Sequence, residues 1–294
     1  MFSPVILWNA DHQWVSFIKQ LGRARVDGLS LKYLGELLPA QFAFATPSVF
    51  ILGVLGLVAI ARRKVAAAAG PALISISIWT LLLYFTWHSL HSRVEANWLG
   101  PVYPAFAIAA AVAAWDTQWS ARTQRLAVAS RRWALPIGAA LFVVLGVQAN
   151  TGLFTGFRRD ATMRSVGAGW PQLARDIEAI RIRQKADCVL TGDYGTTSWL
   201  MFYLPQGTCV AQRWQHYRWT FAPEPDAALL KSRVLFVDNP GAETVFRGVY
   251  ARGEKIADLT RRRSGVVVED YEVDLLEDAS GDPLDRSPAP ELAR

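Results

Sequence analysis

One stretch of eleven residues between two apolar runs concentrates the side chains that could do chemistry. Residues 88–98 read HSLHSRVEANW and combine two histidines, an arginine, a glutamate and an asparagine. A connection between apolar segments is polar because its backbone groups need water, and neutral residues meet that need. A fixed cation beside a carboxylate is more than a hydrated loop needs. Ionisable groups at a membrane boundary often mark a functional site. The candidate binding residues are His91, Arg93, Glu95, Asn97 and Trp98.

The two histidines of this stretch also allow a metal site. His88, His91 and Glu95 are spaced i, i+3, i+7, so a helix would place them on one face, and imidazole and carboxylate both bind divalent metals. A hydrated loop at a membrane interface could contain the same pair of histidines without binding a metal. A divalent metal is therefore an alternative that the sequence leaves open, and it is the only cofactor suggested.

Most common soluble enzymes are excluded by the motifs that the chain lacks. It contains no phosphate loop, no G-x-G-x-x-G, no H-E-x-x-H, no C-x-x-C and no G-x-S-x-G. The net charge of +6 belongs to the first half of the chain. Because the second half is close to neutral, a nucleic-acid partner is not expected.

Four apolar runs in the first half predict a multi-pass α-helical membrane domain. A spanning helix needs roughly 20 apolar residues. We expect spans at about 37–61, 71–88, 98–115 and 133–149, with tryptophans near their ends as is typical of membrane interfaces. Lysine and arginine are denser in the connections 62–70 and 116–133, which favours a cytoplasmic location for both, although the total number of basic residues is nearly equal on the two sides.

The opening residues, 1–36, do not fit a cleaved leader because the apolar stretch is short and no basic segment precedes it. They read as the end of a truncated span followed by an interfacial amphipathic segment outside the cytoplasm. We therefore expect that the N-terminal part of a longer protein is missing.

Alternating strand and helix patterns predict a small, mostly parallel α/β domain over residues 150–276. Asp193 and Asp238 follow two of its strands, where open sheets bind ligands, although helix capping explains them more simply. The aromatic segment 213–219 could stack a sugar, lie on a membrane or pack between domains. Residues 277–294 are acidic and rich in proline, and we expect a disordered tail.

The only two cysteines, Cys188 and Cys209, lie in strand-like stretches of this second half. If those strands are parallel neighbours, the thiols could form a disulfide, as suits an oxidising compartment. Two buried free thiols are equally compatible with the sequence. We expect this half to be extracytoplasmic, on the same side as residues 88–98.

Taken in order, several segments resemble a known family. FSPVILWNADHQWVSF, then HSRVEANWLGPVYPAF, then GWPQLARDI and DYGTTSWLMFYL look like the C-terminal part of bacterial membrane glycosyltransferases. These are the family 39 and aminoarabinose-transferase-like proteins, related to the protein O-mannosyltransferases, with the GT-C fold. The resemblance covers most of residues 2–275 and lies more in the order of the segments than in any one motif.

The resemblance implies an enzyme of the bacterial inner membrane that uses a polyprenyl-phosphate-linked sugar. Such an enzyme transfers the sugar outside the cytoplasm to a lipid, glycan or protein acceptor, and its partners include membrane lipids. Arg93 would meet the donor phosphate, while Glu95, Asn97 and Trp98 would shape the sugar or acceptor pocket. Secondary candidates for the polar rim are Asp11, His12, Lys19 and Arg23.

The chain departs from the family pattern in one respect that matters for catalysis. Family members carry their key acidic residue in a first extracytoplasmic loop that has no counterpart here, so no catalytic residue is assigned. The alternative is a non-enzymatic membrane module whose α/β domain binds a ligand or a partner protein.

Overall fold

A computed structural model describes residues 2–12, 14–18, 28–62, 69–116, 118–154, 160–219, 221–241 and 249–286. The chain divides into a helical unit, Ala24–Val144, and a sheet unit, Met1–Arg23 with Leu145–Arg294. Within the described ranges, three helices are long and apolar enough to cross a membrane, and a bent pair could make a fourth span. By length and composition, the first half thus carries membrane-length helices, and the second half carries a small mixed sheet.

The helices up to the end of the longest one follow the apolar runs of the sequence. They are α1 (Ser3–Asp11), α2 (Lys32–Phe44), α3 (Pro47–Arg62), α4 (Ala69–Ser89), a 3₁₀ helix (Ala96–Val102), α5 (Tyr103–Trp115) and α6 (Ala121–Thr151).

The run expected as one span at 37–61 consists of two helices, α2 and α3, that are bent by 106° at their junction. Pro47 disfavours a helical conformation at the residue before it. Thr46, the residue before Pro47, is outside the right-handed helical region, with φ of 62°. The sequence is therefore continuously apolar across residues 46 and 47, although the helix is interrupted there.

The last long helix starts well before the expected position of residue 133. Residues 121–132 contain neither glycine nor proline, and most of them favour helix, so the polar segment extends α6 towards its N-terminus. The expected connection 116–133 is mostly helical for this reason. Within residues 1–36, where an interfacial amphipathic segment is expected, residues 13 and 19–27 lie outside the described residues.

Two glycines allow α3 and α5 to approach closely. A Cβ atom on Gly56 would overlap the backbone carbonyl of Ala109, and one on Gly53 would overlap the ring of Phe106. Ala109 is fully buried at this contact. Small residues at a helix interface permit this packing, which is the main driving force for helix association in lipid.

Replacing Gly56 with Ala should therefore destabilise the helical unit by about 1–3 kcal/mol, because the added methyl group overpacks the contact with Ala109. Thermal unfolding of the full chain in detergent micelles, followed by circular dichroism, measures the change. Gly35→Ala is the matched control, since a Cβ atom there meets nothing within 4 Å. Equal melting temperatures for the two variants would contradict this account of the packing.

The sheet unit contains a five-stranded sheet flanked by short helices. Its elements are α7 (Ala161–Ser165), α8 (Trp170–Gln184), β1 (Cys188–Thr191), α9 (Tyr194–Tyr203), β2 (Cys209–Gln212), a 3₁₀ helix (His216–Trp219), α10 (Ala227–Lys231), β3 (Val234–Asp238), β4 (Tyr250–Arg263) and β5 (Val266–Ala279).

The strand order is β2-β1-β3-β5-β4. β1 is parallel to both β2 and β3, whereas β5 is antiparallel to both β3 and β4. The sheet is therefore half parallel rather than mostly parallel as expected. The difference comes from the turn at Ser264 and Gly265, which both have positive φ and join β4 to β5 as a tight hairpin.

Each face of the sheet has its own core. On one face, side chains of α8 and α9, such as Ile177 and Leu200, pack with Val189 and Leu235. The other face is covered by α10 and by the C-terminal segment, which contributes Leu284. The strand-like stretches that contain Cys188 and Cys209 are thus present as β1 and β2, in the parallel core with β3.

The expected tail, 277–294, is ordered in its first part. β5 continues to Ala279, and the side chain of Leu284 is buried. Arg213 Nη1 donates a hydrogen bond of 2.7 Å to the carbonyl oxygen of Pro283. One buried leucine and one buried arginine thus hold a segment whose composition suggested disorder; residues 287–294 lie outside the described residues.

Cys188 and Cys209 form a disulfide between the adjacent parallel strands β1 and β2. They are directly opposite each other in the register, with their Cα atoms 4.6 Å apart. The bond ties the edge strand β2 to the strand at the centre of the parallel core.

Asp160 caps the short helix α7 and is nearly inaccessible to solvent. Its carboxylate accepts hydrogen bonds from the Thr162 amide at 2.7 Å, from the Met163 amide at 3.1 Å and from Gln148 Nε2. Burial alone would raise the pKa of Asp160, but the hydrogen bonds outweigh it and the pKa lies below its usual value.

A depressed pKa means that Asp160 stabilises the fold above its unfolded-state pKa, and that this contribution is lost as the pH falls through the folded-state value. Asp160→Asn should therefore lower the melting temperature at pH 7, and the deficit should shrink as the solution is acidified below about pH 4. Asp187→Asn, at an exposed carboxylate, serves as the control. A deficit that does not change with pH would refute the assignment.

Candidate functional site

The candidate segment begins at the C-terminal end of α4 and ends inside the 3₁₀ helix. The carbonyl oxygen of His88 accepts hydrogen bonds from the amides of His91 at 3.0 Å and Ser92 at 2.9 Å, which closes the helix end. The Ser30 amide donates to the carbonyl oxygen of Leu90 at 2.7 Å. The residues preceding α2 thereby hold the turn against the end of α4.

Arg93 forms an ion pair with Glu36 of α2, with 3.3 Å between Nε and the nearest carboxylate oxygen. The side chains are 67% and 42% exposed, so both charges remain hydrated. The sequence pointed to Arg93 as a phosphate partner, and the structure gives it a neighbouring carboxylate 57 positions earlier in the chain. The pair brings one cation and one anion together at the surface of the helical unit.

The two histidines of the segment have different environments. His88 is buried, with Nε2 3.0 Å from Ser92 Oγ and its ring 6.0 Å from that of Trp98. His91 is half-buried, with Nδ1 2.9 Å from the carbonyl oxygen of Trp87. His88 and Trp98 therefore come together as part of the packed end of α4.

The alternative metal site at His88, His91 and Glu95 stays a prediction, and these three side chains are not gathered in this structure. No group of three or more His, Cys, Asp or Glu side chains in the described parts of the chain could hold a metal ion. One reason is local: the helix ends at Ser89, so the i, i+3, i+7 spacing does not continue on one helical face.

The remaining sequence candidates are distributed over both units. Glu95 and Asn97 are exposed beside Arg93, as a pocket rim would require. Asp11 and His12 belong to the sheet unit, where the ring of His12 stacks on Trp8 at 4.1 Å between centroids. Lys19 and Arg23 lie outside the described residues.

Gln41 and Tyr103 position the site, and the sequence analysis missed both. Gln41 Nε2 donates a hydrogen bond of 2.9 Å to the carbonyl oxygen of Ala96, at the start of the 3₁₀ helix. Tyr103 donates from its hydroxyl to Gln41 Oε1 at 2.6 Å. This network fixes α2 to the 3₁₀ helix and to α5. A single glutamine inside an apolar run was the available signal, because a buried amide needs partners.

An apolar groove with a volume of about 400 Å³ runs through the helical unit. Its walls come from α2, α3, α4, the 3₁₀ helix and α5, and Gln41 and Tyr103 contribute the main polar atoms. Representative lining residues are Leu37, Phe50, Leu82, Val102 and Phe106. The same α2 helix that carries Glu36 therefore also lines a space suited to a hydrocarbon chain.

In the sheet unit, the aspartates at the ends of the parallel strands β1 and β3 form hydrogen bonds with nearby backbone amides. Asp193 caps α9 by accepting hydrogen bonds from the amides of Gly195 at 2.7 Å and Thr196 at 3.0 Å. Asp238 accepts from the Asn239 amide. Burial raises the pKa of Asp238, and the nearby negative charge of Asp193 acts in the same direction.

The aromatic segment 213–219 packs largely into its own domain. His216 is buried with Nε2 3.2 Å from a carboxylate oxygen of Glu224, and Trp219 Nε1 donates to Gln212 at 2.8 Å. Trp214 remains partly exposed. These contacts leave little of the segment free to stack on a sugar.

The segment GWPQLARDI is explained by packing at the start of α8. Trp170 is buried, and the guanidinium carbon of Arg261 lies 4.8 Å from the centre of its ring. Gly169 has φ of 85°, and a Cβ atom there would overlap the backbone carbonyl of Arg262. Glycine is therefore required at this position both for its conformation and for the close approach of β4.

No family model, no curated protein and no solved structure matches the chain.

Gln41→Leu should loosen the 3₁₀ helix, because the substitution removes the donor to the Ala96 carbonyl and the acceptor of the Tyr103 hydroxyl. Leaving those groups unpaired in a buried setting costs about 1–3 kcal/mol. Hydrogen exchange followed by mass spectrometry should show faster exchange in residues 96–102. Leu38→Ala, at an exposed side chain one turn away, should leave exchange in residues 96–102 unchanged. Unaltered exchange in the Gln41 variant would show that the network does not position the segment.

Proposed function

We propose that this chain is the C-terminal part of a polyprenyl-phosphate-sugar-dependent glycosyltransferase with the GT-C fold. In this proposal residues 88–98 and Glu36 form the rim of the donor site. The observation that carries it is the exposed ion pair of Arg93 with Glu36, because Glu36 belongs to α2, a helix that also lines an apolar groove. An amphiphilic donor needs both features, a cation for its phosphate and an apolar space for its chain.

The arginine has the chemistry that phosphate binding requires. A guanidinium donates several charge-assisted hydrogen bonds in a fixed geometry, and Arg93 is hydrated and accessible. Its partner Glu36 is also partly exposed, and ion pairs of this kind contribute only about 0–1 kcal/mol. A phosphate could therefore take the place of Glu36 at little cost.

The groove supports a lipid donor rather than a nucleotide sugar. Its lining is almost entirely aliphatic and aromatic, which suits an isoprenoid chain better than the polar phosphates and ribose of a nucleotide. Glu95, Asn97 and Trp98 lie beside Arg93 in sequence and would contact the sugar or the acceptor. The acceptor is a lipid, a glycan or a protein outside the cytoplasm, at the bacterial inner membrane.

The proposal assigns donor binding to this chain and leaves the catalytic residue unassigned. In the family that the sequence resembles, the acidic residue belongs to a loop without a counterpart here. Asp11 and Glu95 are not given that role. Binding of the donor is accordingly the property to test first.

Arg93→Ala should weaken binding of undecaprenyl phosphate to the purified full chain by about tenfold to a hundredfold, because charge-assisted hydrogen bonds are worth about 1.5–3 kcal/mol. Native mass spectrometry of the chain in detergent micelles, titrated with the lipid, measures the affinity. Arg93→Lys should recover part of the loss. Arg62→Ala, at an exposed arginine at the end of α3, is the matched control and should bind as the unaltered chain does.

Equal affinity for the Arg93→Ala and Arg62→Ala variants would remove Arg93 from the donor site.

The alternative function, a non-enzymatic membrane module whose sheet unit binds a ligand or partner, makes a different prediction. Sugar transfer in membranes that carry the complete locus would then survive substitution throughout residues 91–98.

A further inference from the structure

The outer face of α9 exposes an apolar stripe on the sheet unit. Tyr194, Met201 and Phe202 are 56%, 44% and 75% exposed. Together with Ser198 they lie on one side of the helix, since residues i, i+4, i+7 and i+8 share a face. α9 contains no charged residue.

This stripe is separate from the core of the sheet unit. The opposite face of α9 is already buried, with Thr197 and Leu200 inaccessible to solvent. Contiguous apolar side chains that the fold does not cover are characteristic of surfaces that contact a membrane or another protein. The α9 stripe, defined as Tyr194, Ser198, Met201 and Phe202, therefore needs an occupant.

The surroundings of the stripe favour a lipid surface. The guanidinium carbon of Arg218 lies 4.7 Å from the centre of the Tyr194 ring. Phe221 follows, with a 69% exposed ring 5.7 Å from the ring of Trp219. Aromatic side chains beside an arginine are the composition of protein surfaces that lie in the headgroup region of a membrane.

The sheet unit includes the end of a membrane-length helix. The last residues of α6 belong to this unit. Gln148 accepts from the Phe154 amide at 2.8 Å and donates to the Phe154 carbonyl oxygen at 3.2 Å, and Arg263 Nε lies 3.5 Å from the carbonyl oxygen of Asn150. The C-terminal end of α6 is therefore part of the sheet unit itself, and the chain passes from α6 into this unit directly.

We propose that the α9 stripe docks on the headgroup region of the membrane that α6 crosses, with Phe202 and Met201 inserted and Arg218 against anionic headgroups. The proposal rests on α6 spanning a bilayer, as the proposed function does. It adds a second membrane contact, made by the sheet unit itself, which limits the motion of that unit relative to the surface.

Nitroxide labelling of the full chain tests the docking. The only two cysteines are joined in the disulfide Cys188–Cys209, so each introduced cysteine is the single free thiol. Labels are placed by Phe202→Cys on the stripe, by Phe142→Cys on α6, and by Ile182→Cys on α8. The unaltered side chains are 75%, 78% and 63% exposed, which matches the three sites in accessibility. The chain is reconstituted in nanodiscs of phosphatidylcholine and phosphatidylglycerol.

Oxygen partitions into lipid and a neutral nickel chelate stays in water, so their relative accessibility to each label reports its surroundings. We expect oxygen to exceed nickel at Phe202 and Phe142 and the order to reverse at Ile182. Nickel exceeding oxygen at Phe202 would overturn the docking while Phe142 still reports lipid. Protection of Phe202 from both reagents would mean a protein partner and would also overturn it. Nickel exceeding oxygen at Phe142 would overturn the spanning of α6 and, with it, the proposed function.

Discussion

The hydrogen bond from Gln41 to the carbonyl oxygen of Ala96 is the interaction on which the candidate site depends. A buried polar group in apolar surroundings must be paired inside the protein, because no water reaches it. Gln41 uses its amide nitrogen for Ala96 and its amide oxygen for Tyr103, so one side chain joins three elements. The same helix, α2, carries Glu36 five residues before, and this fixed position brings the carboxylate to Arg93.

The close contact of α3 with α5 imposes the second constraint. Gly53 and Gly56 let these helices approach until the backbone of α3 meets Phe106 and Ala109. α5 continues directly from the 3₁₀ helix, so the position of the candidate segment is set at both of its ends. On one side it follows α4, and on the other it leads into a helix that cannot shift without overlap.

The sequence predicted the order of the helices and strands better than it predicted where each one ends and which elements pack against each other. The bend at Thr46 was readable from Pro47, but the apolar composition of 37–61 concealed it. The contact of Arg93 with Glu36, 57 positions apart, has no local signal, because spacing within one segment says nothing about which helix packs beside it. The ordered position of Leu284 was missed for a similar reason, since its stability comes from strands far away in the chain.

The weakness of the Arg93 and Glu36 ion pair is informative about what it could do. A structural ion pair is buried and held by further hydrogen bonds, as Arg261 is with Glu269, and breaking it would leave an uncompensated charge. Arg93 and Glu36 are hydrated, so their separation exposes nothing and costs little. An arginine that must exchange a carboxylate for a phosphate and then release it benefits from a small difference between the two states. The exposed pair meets that requirement, and the buried Arg261 could not.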